Sequence, residues 1–349
     1  MSEGAVLIAT GAALATGFLA TRLLIRAPGS FWPVDYPNER SLHEQPVRRV
    51  GGIAILLALF VGVGFAWGLG AALPPTRSIL VPIGAGLMLV FGSSLWDDFC
   101  ATPIALRLAI QGLSVVPLAA AGLLFDSLGV PGFSIPFPVP VAIVLGGLWV
   151  VWMSNLYNFM DGTDGLAGAM SVFGFGAMAA IGFFAGHDGF ALVAGLIAAG
   201  TLGFLVLNWP PARVFMGDGG SVSLGYLAAS LTLWAQHEGI FPLWVGALLF
   251  LPFIGDATVT LVGRLLRGAS PARAHREHAY QKLVRLGYRK SQVLAWSILC
   301  MMGAALSGIW AAMTRNPGLQ VALFTGDLVG LAAVLTIVHT LKNHREQHG

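Results

Sequence analysis

The sequence predicts an all-α, polytopic integral membrane protein with about eleven transmembrane helices. Three observations carry that prediction. Of 349 residues only 19 are Lys or Arg and 16 are Asp or Glu, so charged residues make up 10%, against roughly 25% in a soluble domain. Hydrophobic residues make up 56% and mean hydropathy is +0.78. Apolar runs recur along the whole chain at close to the ~20 residues a helix needs to cross a bilayer. A soluble enzyme would need far more polar surface, and disorder needs low hydrophobicity and high charge. The 46 Gly residues follow no Gly-X-Y period, which excludes collagen. A net charge of +3 with no basic domain gives nucleic acid nothing to bind.

Each element can be justified in order. The first run, 4–25, follows the acidic start Met1-Ser2-Glu3-Gly4, and its basic residues Arg22 and Arg26 come after it. A cleavable signal peptide has the opposite polarity, so this run is expected to stay as a helix. The second, 51–71, opens at Gly51-Gly52, and the third, 78–95, ends at Trp96-Asp97-Asp98-Phe99. The fourth, 104–124, is expected to start from Thr102 as N-cap with Pro103 at the first helical position. Further spans are expected at 139–156, 165–185, 190–207, 220–236, 241–263, 291–313 and 320–340, the weakest divisions being the short hinges 186–189 and 236–239. No linker is long enough to release a soluble domain, so residues 1–349 read as one membrane domain. Cys100 and Cys300 form neither a zinc pattern nor a disulfide framework and read as small apolar residues.

Orientation follows from Lys and Arg. With eleven spans, the loops after the odd-numbered ones share one side, and that side or its edge carries all the basic residues except Arg77 and Arg315. The other side carries Glu3, Asp126, Asp188 and Glu238. This places the N-terminus outside and the C-terminus in the cytoplasm.

Five polar clusters fall on the cytoplasmic side. They are residues 35–52 with Arg40, Arg48 and Arg49; Asp97-Asp98; residues 155–165 with Asn155, Asn158, Asp161 and Asp164; Asn208 through Asp218 to Ser221; and His275-Arg276-Glu277-His278. Spans 2, 4, 6 and 8 begin at such clusters, and helix N-termini offer N–H donors and positive dipole ends that suit phosphate. The acids Asp97, Asp98, Asp161, Asp164 and Asp218 would repel one another without a shared cation. Mg²⁺ held by one or two carboxylates plus substrate phosphates is the usual solution.

Each cluster also has a plain reading. Asp97-Asp98 alone suits a solvated turn, and the Asn and Asp residues of 155–165 suit helix capping. Residues 217–221 suit a turn and lack the Lys and spacing of a P-loop. His275 and His278 suit a solvated basic loop. Asp256 and Asp327 fall inside spans, where an ionisable group is a functional candidate by default and packing is the alternative. What favours chemistry is that all five clusters share one face.

At this point the residues carry a resemblance. Asn155-x-x-Asn158-x-x-Asp161-Gly-x-Asp164-Gly, then Asn208 ten residues before Asp218 in Phe-Met-Gly-Asp-x-Gly-Ser, resemble the polyprenyl-phosphate N-acetylhexosamine-1-phosphate transferases. That superfamily also holds phospho-N-acetylmuramoyl-pentapeptide transferase. Asp97-Asp98 and the His-Arg-x-His segment at 275–278 complete a pattern running in order over about 35–283.

The resemblance implies transfer of a sugar 1-phosphate from a UDP-N-acetylhexosamine to undecaprenyl phosphate, with release of UMP and dependence on Mg²⁺, or Mn²⁺ in its place. By motif, Asp218 with Asp161 would hold the metal. Asp97 and Asp98 would bind or deprotonate the lipid phosphate, with Asp97 as the base. Asn158, Asp161, Asp164, Asn208 and Phe215 would hold the nucleotide, Phe215 by stacking on uracil. Arg48, His275, Arg276 and His278 would contact the diphosphate or sugar. Direct attack by the lipid phosphate and prior formation of an aspartyl phospho-enzyme are both compatible with these residues.

The implied setting is the bacterial inner membrane with the site facing the cytoplasm, among membrane lipids, with a homodimer compatible. The product would initiate O-antigen, lipopolysaccharide or another cell-surface glycan. The pentapeptide enzymes carry three adjacent histidines, which 275–278 lacks, so the glycan-initiating branch is favoured, with GlcNAc or a 6-deoxy relative as the sugar. The muramoyl-pentapeptide reaction remains the nearer alternative. A transporter of anionic metabolites is the distant one, because transporters place polar groups at the membrane midplane.

Overall fold

The structure is a computed structural model that describes residues 3–28, 32–37, 45–71, 73, 76–125, 127–269 and 275–348. Residues 38–44 of the first polar cluster, including Arg40, and Asp126 lie outside the described residues.

The chain is overwhelmingly helical, as expected. In order it forms α1 (Glu3–Arg26), β1 (Val34–Asp35), β2 (Val47–Arg48), α2 (Gly51–Gly68) and, after a π-helical turn, α3 (Val81–Phe99). There follow α4 (Ile104–Leu113), α5 (Val115–Ala120), β3 (Ser127–Val130), β4 (Phe133–Pro136), α6 (Val139–Met160), α7 (Leu166–Phe184), α8 (Asp188–Asn208) and α9 (Asp218–His237). The chain ends with α10 (Leu243–Leu249), α11 (Leu251–Leu266), α12 (Ala279–Arg285), α13 (Lys290–Met313) and α14 (Pro317–His348).

Every expected span coincides with helix, but they are not all alike. Among the described residues, eight helices are long and apolar enough to cross a membrane: α1, α2, α3, α6, α7, α8, α13 and α14. The expected span at 241–263 is two helices, α10 and α11, meeting at 87°. Phe250 leaves helical geometry there (φ −109°, ψ 16°), and Pro252 lies in the first turn of α11, where it lacks an N–H to continue a straight ladder. The expected span at 104–124 is the shorter pair α4 and α5, about 25 Å long at 1.5 Å per residue. Pro103 rather than Thr102 occupies the N-cap of α4, and the Thr102 hydroxyl turns back to the Cys100 carbonyl.

Helix α9 is the hub. It packs on α2, α3, α6 and α10, and its residues from Gly219 to Ala235 are all buried. It is too polar to count among the eight, carrying Ser221, Ser223, Ser230 and Thr232. Those hydroxyls donate to the carbonyls four residues earlier (Gly217, Gly219, Tyr226 and Ala228), so the helix is polar in composition but presents few unmet groups. Large apolar side chains such as Leu7, Phe60, Val144, Leu299 and Val329 are exposed around the outside, as a lipid-facing surface requires.

Two small ribbons were not expected. β3 and β4 form an antiparallel hairpin between α5 and α6. β1 and β2 pair antiparallel, Val34 with Arg48 and Asp35 with Val47. The second ribbon matters for function, because it continues into residues 49–52.

Candidate active site

The site is assembled where segment 47–52 runs between β1 and residues 215–216. Arg49 donates its N–H to the Pro33 carbonyl (2.9 Å), and Phe215 donates to the Arg48 carbonyl (2.8 Å). Gly51 and Gly52 donate to Phe215 (3.0 Å) and Met216 (2.8 Å). These bonds bring the starts of α2 and α9 together. A Cβ on Gly52 would overlap the backbone nitrogen of Gly220, so the two helices meet with no side chain between them.

The same bonds correct the expectation that helix N-termini offer unused donors to phosphate. Those of α2 are taken by Phe215 and Met216. Those of α9 are taken by Asp98, whose Oδ1 accepts from Asp218 N–H (3.0 Å) and Oδ2 from Gly219 N–H (2.9 Å). Gly165, at the head of α7, donates to Asn208 Oδ1 (2.9 Å). Buried donors are met by partners within the chain, which is the usual outcome. Gly217 allows the turn into α9: its φ is +76°, and a Cβ there would lie 2.8 Å from Asp98 Oδ2.

Four carboxylates and two guanidinium groups result. Asp97 Oδ2 accepts from Arg107 Nη1 at 2.7 Å, and Oδ1 accepts from Thr102 N–H at 2.6 Å. Asp218 lies between two arginines, 3.7 Å from Arg49 Nη2 and 3.7 Å from Arg107 Nη1. Arg49 also stands 3.7 Å from Asp98. Burial works against the Arg49 cation, but Asp218, Asp98, Asp35 and Asp161 outweigh it and hold the guanidinium above its ordinary value. Asp161, just past α6, completes the group. Burial first, then the Asp218 carboxylate, pushes its acid well above the ordinary range, and Arg49 opposes that shift. Asn158 reaches Ser221 Oγ (3.2 Å) and bonds the Asp218 carboxylate.

Asp97, Asp98, Asn158, Asp161 and Asp218 therefore converge. Arg48 does not join them. The sequence reading put Arg48 at the substrate, whereas its Nη1 donates to the carbonyls of Leu24 (2.7 Å) and Ala27 (2.8 Å) and closes the end of α1. Successive residues of an extended segment face opposite ways, so Arg49 faces the acids instead. Arg107 was also missed. Its position inside the fourth apolar run hid it, and only its i+10 relation to Asp97 across the α3–α4 turn gave a signal.

Asn208 and Asp164, expected at the nucleotide, are engaged within the protein. Asn208 is 3% exposed and donates to the Val214 carbonyl (2.8 Å) besides accepting from Gly165. Asp164 accepts from Lys290 Nζ (2.9 Å) and Ala212 N–H (3.1 Å). Both fix the α6–α7 and α8–α9 loops against each other. Asn155 bonds Gln111 and ties α6 to α4. Phe215 is half-buried in the ribbon beside Arg49.

The histidine segment meets the site through Tyr280, whose hydroxyl donates to the Phe159 carbonyl (3.1 Å). His278 stacks on Tyr280 with ring centroids 5.9 Å apart, and His275 lies 5.0 Å from His278. Arg276 stands between the two histidines in sequence. Glu277 pairs with Arg264 and Arg267 and so turns away toward α11.

Among the described residues, no three His, Cys, Asp or Glu side chains form a ready-made metal cage. The donor set nevertheless suits a hard cation that takes most of its ligands from substrate and water. Asp218 and Asp161 share this acidic group, and the Asp218 carboxylate makes Asp161 harder to ionise.

Comparison with known proteins gives a consistent picture. A family model described as glycosyl transferase family 4 matches residues 80–236. A probable undecaprenyl-phosphate N-acetylglucosaminyl 1-phosphate transferase from Bacillus subtilis (strain 168) is 28% identical over 322 residues, covering 91% of this chain and 87% of the relative. An undecaprenyl-phosphate alpha-N-acetylglucosaminyl 1-phosphate transferase from Yersinia pestis is 32% identical over 294 residues, 77% of this chain and 76% of the relative. A decaprenyl-phosphate N-acetylglucosaminephosphotransferase from Mycobacterium leprae (strain TN) is 28% identical over 371 residues, 97% of this chain and 92% of the relative.

Proposed function

Because the chain belongs to the polyprenyl-phosphate N-acetylglucosaminyl 1-phosphate transferases of glycosyl transferase family 4, we propose that it transfers GlcNAc 1-phosphate from UDP-GlcNAc to undecaprenyl phosphate and releases UMP. The observation that carries the chemistry is Asp218 held between Arg49 and Arg107, each 3.7 Å away, among Asp97, Asp98 and Asp161. Two anionic substrates must approach each other, and their mutual repulsion is the main obstacle to phosphoryl transfer.

In this reading a lipid-phosphate oxygen attacks the sugar-bearing phosphorus of the donor. The new P–O bond forms as the bond to the bridging oxygen breaks, and that oxygen leaves with UMP. Arg49 and Arg107 turn from the carboxylates to the phosphate oxygens and offset the charge that develops on them. Asp97, released as Arg107 turns to the phosphate, takes the proton of any acceptor phosphate that arrives protonated. Asp98 has a structural duty beside its expected one at the lipid phosphate. With both oxygens on backbone N–H groups, it fixes the head of α9 and hence Asp218. Asp218 and Asp161 would hold Mg²⁺, with Mn²⁺ as a substitute, and the ion supplies charge neutralisation at the diphosphate. Asn158 orients Asp218, and Phe215 supplies an aromatic face for uracil. Arg276, His275 and His278 would contact the diphosphate or sugar.

The setting we propose is the bacterial inner membrane, with eleven crossings, the N-terminus outside, and the site at the cytoplasmic surface where the lipid phosphate resides. The product would start a cell-surface glycan. The test is UMP release by purified full-length protein from UDP-GlcNAc and undecaprenyl phosphate, run with a panel of other UDP-N-acetylhexosamines. UMP should form, chelation should abolish it, added Mg²⁺ should restore it, and Asp218→Ala should lower kcat by about 10³-fold or more. UMP release that is indifferent to both chelation and Asp218→Ala would sink the site assignment.

A further inference from the structure

Asp256 lies in α11, outside the acid cluster, and is 5% exposed. Burying a carboxylate among apolar helices is strongly disfavoured unless it is paired. Its partners are specific. The Thr260 hydroxyl donates to Oδ1 (3.1 Å), and the backbone N–H of Ala279 donates to both oxygens (3.1 and 2.9 Å). The third partner is the imidazole of His278, itself 3% exposed, with Nδ1 3.5 Å from Asp256 Oδ1. That nitrogen has no hydrogen-bond partner at bonding distance.

The Thr260 and Ala279 contacts alone do not call for an acid. An asparagine oxygen would accept from both without burying a charge. What needs a carboxylate is the imidazole. The ring is held flat on Tyr280, with planes 9° apart, and Tyr280 is bonded to the carbonyl of Phe159, two residues before Asp161. A chain of contacts thus runs from α11 through His278 to the acidic turn. The neighbouring His275 is different: burial, then His278 and Arg264, push it down to about 4, so it is a neutral ring near pH 7.

We propose that Asp256 is a positioning residue for the transfer reaction, acting through His278. A small turn of the ring as substrate seats would bring Nδ1 from 3.5 Å to hydrogen-bond distance of Asp256, which fixes the tautomer and tilt of the imidazole and leaves Nε2 to meet the phosphate or sugar. The inference rests on the proposed reaction and on His278 meeting its substrate.

A double-mutant cycle on the full chain tests it, with UMP release from UDP-GlcNAc and undecaprenyl phosphate as the readout. The variants are Asp256→Asn, His278→Gln, the pair together, and Thr260→Val. Asp256→Asn keeps an acceptor for Ala279 but removes the charge. It should lower kcat about 10- to 100-fold with the UDP-GlcNAc KM changed by less than about threefold. Adding it to His278→Gln should cost no more than about a further twofold, because the two act as one unit. Thr260→Val should stay near wild type, and melting temperatures should change little. If Asp256→Asn fails to fold, Asp256→Glu replaces it in the cycle with the same coupling expected.

Losses that multiply in the double variant, or a wild-type kcat in Asp256→Asn, would overturn the inference while leaving the reaction standing. Wild-type protein that released no UMP would overturn the transferase reading and this inference with it.

Discussion

Arg48 and Arg49 are neighbours with opposite duties. Arg48 closes α1 through two carbonyls, and Arg49 faces Asp98 and Asp218. Their substitutions should therefore separate stability from chemistry. Arg49→Ala is expected to lower kcat by about 10²- to 10³-fold, the size of losing one donor to a developing phosphate charge. Arg48→Ala is expected to cost about 1–3 kcal/mol of stability, from lost charge-assisted bonds at a helix end, with kcat of the folded protein near wild type. Rates and melting curves of the two variants check this, and a loss of kcat in Arg48→Ala without destabilisation would reverse the assignment. The residue types were legible in the sequence: two arginines before Gly51-Gly52 stood out. Which one faces the acids was not, because a one-residue register in a short ribbon decides it.

At the scale of elements, α9 explains most of the site. Its N-terminus carries Asp218, its first N–H groups hold Asp98, and its body is buried among the surrounding helices. It meets α2 through Gly52 against Gly220, with no room for a side chain. Gly52→Val should force α2 from α9, lower stability by about 1–3 kcal/mol or more, and lower activity with it as Arg49 and Asp218 part. Gly64→Ala, on the same helix with no atom within 4 Å of the added Cβ, should be neutral or slightly stabilising. Thermal unfolding and UMP release on both variants test the contact, and equal effects would refute it. The sequence placed α9 correctly as a helix but could not mark it as the hub. Its Ser and Thr residues lower its apolarity, and their bonding back onto the helix only appears once the helix exists. The 87° bend between α10 and α11 was hidden similarly, since Pro252 permits a break without dictating its angle.

For the whole molecule, the decisive fact is that polar groups distant in sequence share one end of the helical assembly. Cys100 gives a handle on which side that end faces, because it is exposed directly after α3, beside Asp97 and Asp98. A membrane-impermeant maleimide should label Cys100 in inverted inner-membrane vesicles and not in intact spheroplasts. Cys300, on a membrane-spanning helix, should stay unlabelled in both. Labelling of Cys100 from outside would reverse the orientation. The sequence by itself determined the membrane class, the position of nearly every helix and the candidate acids. Apolar length and charge placement act locally, residue by residue, and so can be read along a line. The tertiary structure decided the partners: Arg49 rather than Arg48 beside the acids, Arg107 against Asp97, Asp98 on the backbone N–H groups of α9, and Asp256 behind His278. Those pairings join residues far apart in sequence, 120 positions for Asp98 with Asp218 and more for Arg49 with Asp218. They exist because buried donors and charges must be satisfied by whatever the packed helices bring near, and no linear pattern records that.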